Sequence, residues 1–380
     1  DAGRSGQYPR GYVECGPAGS WPSWTSCTDG LRPRARLSRR GHRWHIMLRS
    51  AGRSLGSHGY ILLAVRDHAC PSSEKGLARR LMKVLIGIPA FRRTEQLRRL
   101  LNSLSNTLPP TGFSIIVVDN DPAGSSRAVV DEFKEQLDIY YEKELEPGVV
   151  HVRNRILARA HAYEGLAFLD DDEWVSNEWV GAISAARQQF PEAVLAGPVR
   201  YVLPESAPDR IVRGGFFTRP EHAHGAVLRT TGTGNSFFPK NVITRLGHHG
   251  FDATFARIGG EDTDLFLRLT AEGVEIRWVA DAVVFESVPM EKASMVSITR
   301  GYRRNGLVNA TVKASSSSTV HRVLGAAARI LWGSMKYLHR RVLGKPMRPQ
   351  DVATLYSGLG YLDALTGRSC TYYGVETCES

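Results

Sequence analysis

The chain has 380 residues, 42% apolar and 23% charged, with a net charge of +11. This is globular composition with room for one large domain or two moderate ones. No run of 18 apolar residues exists, so no transmembrane helix is predicted, and the five cysteines lack disulfide or zinc spacing, which points to a reducing compartment.

Residues 1–81 are rich in Arg, Gly, Ser and Pro. Residues 1–82 hold thirteen Arg and one Lys against five acids, so they carry +9 of the +11. No apolar period is sustained there, and such a chain cannot bury enough surface to offset its conformational entropy. We read residues 1–81 as a disordered basic extension, vector-derived or translated from upstream of a start at Met82. The competing reading is a basic arm for nucleic acid or an anionic membrane.

From Met82 the pattern changes. Val84–Pro89 reads as a buried strand stopped by Pro. Thr94 as N-cap precedes an apolar helical stripe of Leu97, Leu100, Leu101 and Leu104. Phe113–Val118 is a second buried strand, ending at Asp119-Asn120-Asp121. A helix over 125–136, a strand at Ile139–Tyr141 and a helix over 149–162 follow. Leu166–Leu169 is a fourth strand, and it empties into Asp170-Asp171-Asp172-Glu173. Beyond it come a helix over 178–189, a strand over 193–203 and irregular chain over 204–224. Thr230–Phe238 has glycines that allow close backbone approach. Gly259-Gly260 opens a helix with Glu261, Asp262 and Asp264 in its first turn. Acids there also stabilise a helix by its dipole. A strand pair spans 274–285, and Glu286 closes it.

Strands alternating with helices imply a mostly parallel sheet with helices on both faces. Ligands in such sheets bind beyond the carboxyl ends of the strands. The first, second and fourth strands end in Pro89-Ala90-Phe91, Asp119–Asp121 and Asp170–Glu173, which then line one crevice. No GxGxxG turn or P-loop is present. Phosphates are therefore not held by a Gly-rich cradle. Four adjacent carboxylates raise one another's pKa, and a divalent cation offsets that repulsion. Period-2 alternation sends Asp170 and Asp172 one way and Asp171 the other.

Five segments in this order resemble the inverting glycosyltransferases of family 2: Ile88–Arg93, Val117–Asp121, Val152–Arg155, Phe168–Trp174 and Gly259–Phe266. The resemblance runs from Lys83 to about Gly306 and looks closest to bacterial exopolysaccharide enzymes of the succinoglycan glucosyltransferase type. It implies a GT-A fold over 82–290: a Rossmann-like mixed, mostly parallel α/β sheet flanked by helices, with a helical region over 291–380. It implies a nucleoside-diphosphate sugar, with UDP-glucose the family-weighted donor, and a hydroxyl acceptor on a growing, lipid-linked saccharide.

The resemblance puts Asp119 against the nucleobase beside Pro89, Ala90, Phe91 and Arg93, with Arg153 near the nucleotide. Asp170 contacts the ribose or a metal water, Asp171 borders the nucleotide in a mainly structural place, and Asp172 holds Mg²⁺ or Mn²⁺. Many relatives have a His after the last strand as a further ligand. Glu286 stands there in this chain, so it is the candidate for that place. Asp262 matches the general base, and Glu261, Thr233, Gly234 and Asn235 border the acceptor. Arg300, Arg303 and Arg304 lie near the diphosphate on a flap or, alternatively, on a solvated helix face.

Residues 323–345 form a basic amphipathic helix with an aromatic edge. It packs on the catalytic domain or lies in a membrane surface. The implied location is cytoplasmic, peripheral on the inner face of the cell membrane, with no nucleic-acid partner. The alternatives are a non-catalytic GT-A-like partner in polysaccharide assembly and a nucleic-acid binder acting through its basic arm.

Overall fold

The computed structural model describes residues 34–40, 43–49, 60–65, 83–256, 259–312, 319–345 and 347–366. The chain divides into two units, 1–77 and 78–380. In the first, β1 (Arg34–Arg40), β2 (Arg43–Arg49) and β3 (Tyr60–Val65) form an antiparallel sheet in that order. Disorder is expected over the whole of 1–81; these three paired strands lie within that stretch, and the rest of it lies outside the described residues.

The second unit runs β4 (Val84–Ala90), α1 (Thr94–Thr107), β5 (Phe113–Asp119), α2 (Arg127–Glu132), β6 (Ile139–Lys143), α3 (Val149–Ala160), β7 (Gly165–Phe168) and β8 (Glu173–Val175). It continues through α4 (Trp179–Gln189), β9 (Val194–Ala196), β10 (Val199–Val202), α5 (Asp209–Val212), β11 (Val227–Leu228), β12 (Ser236–Pro239), α6 (Lys240–Leu246) and α7 (Glu261–Ala271). Then come β13 (Ile276–Trp278), β14 (Val284–Ser287), α8 (Met295–Val312), α9 (Thr319–Val342) and α10 (Pro349–Thr366).

Eight strands make one sheet in the order β11-β13-β9-β12-β7-β4-β5-β6. The β4–β5, β5–β6, β4–β7 and β9–β13 pairs are parallel, and β12 runs antiparallel to both neighbours. This is the mixed, largely parallel sheet that the alternating pattern predicts. Strand alternation divides the apolar side chains between two cores. Val84, Ile86 and Ile88 join the α1 leucines on one face, while Leu85 joins Ile156 and Leu157 of α3 on the other.

Two local expectations differ. Thr94 is the first helical residue of α1 instead of its cap; Arg93 precedes the helix, and its side chain is engaged elsewhere. The strand expected over 193–203 is split at Gly197-Pro198. Proline cannot donate a ladder bond, and the two halves enter different sheets: β9 the large one, β10 a second sheet in the order β10-β14-β8. That second sheet sets Glu286 of β14 opposite Glu173 of β8.

α8, α9 and α10 form the predicted helical C-terminal region. α8 and α10 cross at glycines: a Cβ on Gly360 would run into the Arg303 carbonyl oxygen, and one on Gly306 into the Ser357 backbone. Both obstacles are main chain, so the helices would have to separate. Gly360→Ala is expected to cost about 1–3 kcal/mol, seen as a lower urea midpoint. Gly301→Ala, on α8 with nothing within 4 Å of the added carbon, is expected to be neutral or slightly stabilising.

Candidate active site

The carboxyl ends of β4, β5 and β7 meet as expected. Ala90 pairs with Asp119, Gly87 pairs with Phe168, and the Asn120 N–H donates to the Ala90 carbonyl at 2.9 Å. β7 ends at Phe168, and Asp171–Asp172 form a turn. Strand alternation therefore does not reach the acids, and their directions differ from the expected ones. Asp171, almost fully buried, accepts the Phe91 N–H at 3.0 Å and Arg93 Nη1 at 2.8 Å. Asp172 shares that nitrogen at 3.0 Å. Asp170 instead meets Arg153 Nη2 at 3.3 Å. Its N–H donates to Glu173 at 2.9 Å, closing the turn on itself.

Arg153 connects this turn to a distant segment. Its guanidinium pairs with Asp170 and, very closely, with Glu261, and both Arg153 and Glu261 are buried. Glu261 is the first residue of α7, so the pair fixes the α7 N-terminus beside the end of β7. Asp262 follows it. Its Oδ1 accepts the Thr263 N–H at 2.6 Å, and its Oδ2 lies 3.8 Å from where a Cβ on Gly232 would stand. Asp264 turns away to Arg268 at 2.8 Å. At Gly234 a Cβ would come within 2.7 Å of Glu173 Oε1 and 2.9 Å of Asp170 Oδ2. Only glycine lets the 232–235 segment lie this close to the acids.

Several expected contacts are replaced by internal ones. Asp119 is fully buried, and its carboxylate accepts the Asp121 and Ser126 N–H groups, each at 2.9 Å, and the Tyr141 hydroxyl at 3.2 Å. Held by these donors, it orders the turn after β5. Asn235, with φ 57°, gives its amide to the Pro198 and Ala282 carbonyls and takes the Trp179 indole N–H at 2.8 Å. It ties three segments together. Arg303 lies on α8 in a two-pronged pair with Asp363 of α10, at 2.6 and 2.8 Å. Its charge serves helix packing, while Arg300 on the same helix is exposed and Arg304 half-buried. Thr233 is buried beside the crevice, and its Oγ1 has no hydrogen-bond partner. Arg153, expected near the nucleotide, is held by two carboxylates.

Tyr201 and Arg219 carry no functional signal in the sequence, and Glu173 only that of the acid cluster. Glu173 is fully enclosed below Asp170, and its place in the acid run was its only signal. Arg219 donates to the Tyr201 hydroxyl at 2.6 Å and to Glu286 at 3.1 Å. It lies in the irregular 204–224 stretch, where no periodicity marks it.

Burial dominates the electrostatics. It raises the Asp171 carboxyl to about 6 despite Arg93, and raises Asp172 and Glu261 as well. Burial, with Asp170 beside it, pushes Glu173 well above the usual carboxylate range. Glu286 is pushed up to about 7 by burial and then by Asp172, against Arg219. An all-oxygen set that disfavours its own charge suits a hard divalent cation. Among the described residues no three His, Cys, Asp or Glu side chains converge as a ready ligand set. Mg²⁺ often takes one or two carboxylates together with substrate phosphates. The acids therefore fit a cation that takes only one or two protein carboxylates.

A pH effect follows from Glu286. Its folded-state pKa, about 7, is raised above the ordinary 4.5. It therefore contributes stability that is complete below the unfolded value and is lost as pH rises through about 7. In chelator, Glu286→Gln is expected to raise the melting temperature at pH 8 more than at pH 5. An equal gain at both values would contradict this placement of the group.

Residues 85–247 match the family model described as glycosyl transferase family 2. The chain is 32% identical over 226 residues to the succinoglycan biosynthesis protein ExoM of Rhizobium meliloti, covering 58% of this chain and 72% of that one. It is 26% identical to the chondroitin synthase of Pasteurella multocida, covering 54% of this chain and only 25% of that longer protein. Among solved structures, a mannosyltransferase from Pyrobaculum calidifontis in complex with GDP-mannose and Mn²⁺ superposes with a TM-score of 0.54 at 16% identity, over 76% of this chain and 88% of that one. That likeness concerns the fold.

Proposed function

Because this chain belongs to glycosyl transferase family 2, we propose that it is an inverting glycosyltransferase moving glucose from UDP-glucose to a hydroxyl of a lipid-linked saccharide. The observation that carries the proposal is the Arg153 bridge between Asp170 and Glu261. It ties the end of β7 to the start of α7, which supports reading Asp170–Asp172 as the acids for a leaving diphosphate and Asp262 as the base of one crevice.

Asp262 takes the proton of the acceptor hydroxyl as its oxygen attacks the anomeric carbon. The bond from that carbon to the diphosphate breaks on the opposite side, so the configuration inverts. Bound Mg²⁺ or Mn²⁺ would neutralise charge developing on the departing diphosphate. Asp172 would hold it, with Glu286 and Asp170 as neighbours. Phe91 and Arg93 border the nucleotide, and the Arg93 guanidinium, now paired with Asp171 and Asp172, would exchange carboxylate for phosphate contacts. Gly234 and the unpartnered hydroxyl of Thr233 border the acceptor side. A lipid-linked acceptor places the enzyme at a membrane surface.

Thermal shift with sugar nucleotides tests this, because a ligand that binds only the folded state stabilises it. UDP-glucose with Mg²⁺ or Mn²⁺ is expected to raise the melting temperature above nucleotide alone. Asp172→Ala should remove the metal-dependent part and weaken affinity about tenfold or more. An unchanged metal-dependent shift in that variant would rule out Asp172 as the ligand.

A further inference from the structure

Among the described residues no helix is long and apolar enough to cross a membrane. α9 nevertheless exposes an apolar row. Val320, Leu324, Leu331, Met335, Leu338 and Val342 are 53% to 76% exposed. Their spacing of three, four or seven residues places them on one face. The opposite face belongs to the fold: Ala326 and Gly333 are buried, Gly333 lies against Leu355, and Ile330 lies against Gly358 of α10. Packing on the rest of the protein therefore uses one side of α9 and leaves the other uncovered by any described residue.

The charge around the row has one sign. α9 contains no acidic residue. Arg340 turns inward to Asp351 at 2.8 Å, while Arg341, Lys345 and Arg348 stand exposed at its C-terminal end. Trp332, 53% exposed, flanks the row, with the Lys336 ammonium 5.2 Å from its ring centre. A helix with an apolar face, basic flanks and an aromatic border suits the boundary between acyl chains and anionic headgroups. A second copy is a poorer occupant, because α9 has no acidic residue to meet the basic side chains of a facing α9.

We infer that the outward face of α9 is a membrane-docking surface that inserts its apolar row into the interface of an anionic bilayer, with Arg341, Lys345 and Arg348 on the headgroups. This deepens the membrane contact proposed above. The test reads vesicle binding and not turnover, so either proposal can fail alone.

The full chain is incubated with vesicles of phosphatidylcholine alone, or mixed with phosphatidylglycerol, and sedimented. Retention on the mixed vesicles is expected to exceed that on neutral ones about tenfold and to fall with salt. Leu324→Asp with Leu331→Asp should lower retention about tenfold or more, without moving the melting temperature, since both side chains are exposed. Arg341→Glu with Lys345→Glu should erase the preference for anionic vesicles. Absent retention of the folded wild type, or retention unchanged by the aspartates, would overturn the inference. So would a concentration-dependent dimer that the aspartates dissolve, which would assign the face to a second copy.

Discussion

Asp262→Asn is expected to lower transfer about 10³-fold, within the 10²–10⁴ range that a positioned base contributes, while sugar-nucleotide affinity stays within about threefold. An amide keeps the size of the carboxylate and still accepts the Thr263 N–H, so α7 retains its first turn. What it loses is the capacity to take a proton. The acceptor hydroxyl would then attack carrying its proton, and kcat should fall with little change in KM for the donor. Asp264→Asn is the matched control. Its carboxylate pairs with Arg268 in an exposed i,i+4 contact, and such pairs contribute only about 0.3–0.5 kcal/mol. Wild-type turnover in Asp262→Asn, or an equal loss in Asp264→Asn, would remove the base assignment.

Local pattern carried the strands and helices because burial of β4, β5 and β7 writes itself as apolar runs, and α1 as a leucine stripe. The crevice followed from the alternation of strand and helix alone. What stayed hidden depends on partners far apart in the chain. Arg153 and Glu261 are 108 residues apart, and no spacing rule connects them. Asp119 has the same sequence appearance whether its oxygens face a ligand or three internal donors. The directions of Asp170 to Asp172 depend on β7 stopping at Phe168, two residues before Asp170. The second sheet depends on the break at Gly197-Pro198, which a continuous apolar reading passes over.

The buried Arg153 pair makes the other large effect. Arg153→Met should destabilise the protein by about 3–5 kcal/mol, the usual cost of leaving a buried charge without its partner. Glu261 would then be enclosed without its guanidinium partner, and its Oε2 already has no hydrogen-bond partner. An exposed pair would cost under about 1 kcal/mol, so urea unfolding separates the two cases. Arg153→Met combined with Glu261→Leu should recover much of the loss, since apolar residues of similar volume commonly replace buried ion pairs without net cost. Activity is expected to respond differently. The double variant regains stability but no longer ties α7 to the end of β7, so Asp262 is less well placed and kcat stays low. Recovery of both stability and kcat would mean that packing alone positions α7, and that the Arg153 bridge is dispensable for bringing the two halves of the crevice together.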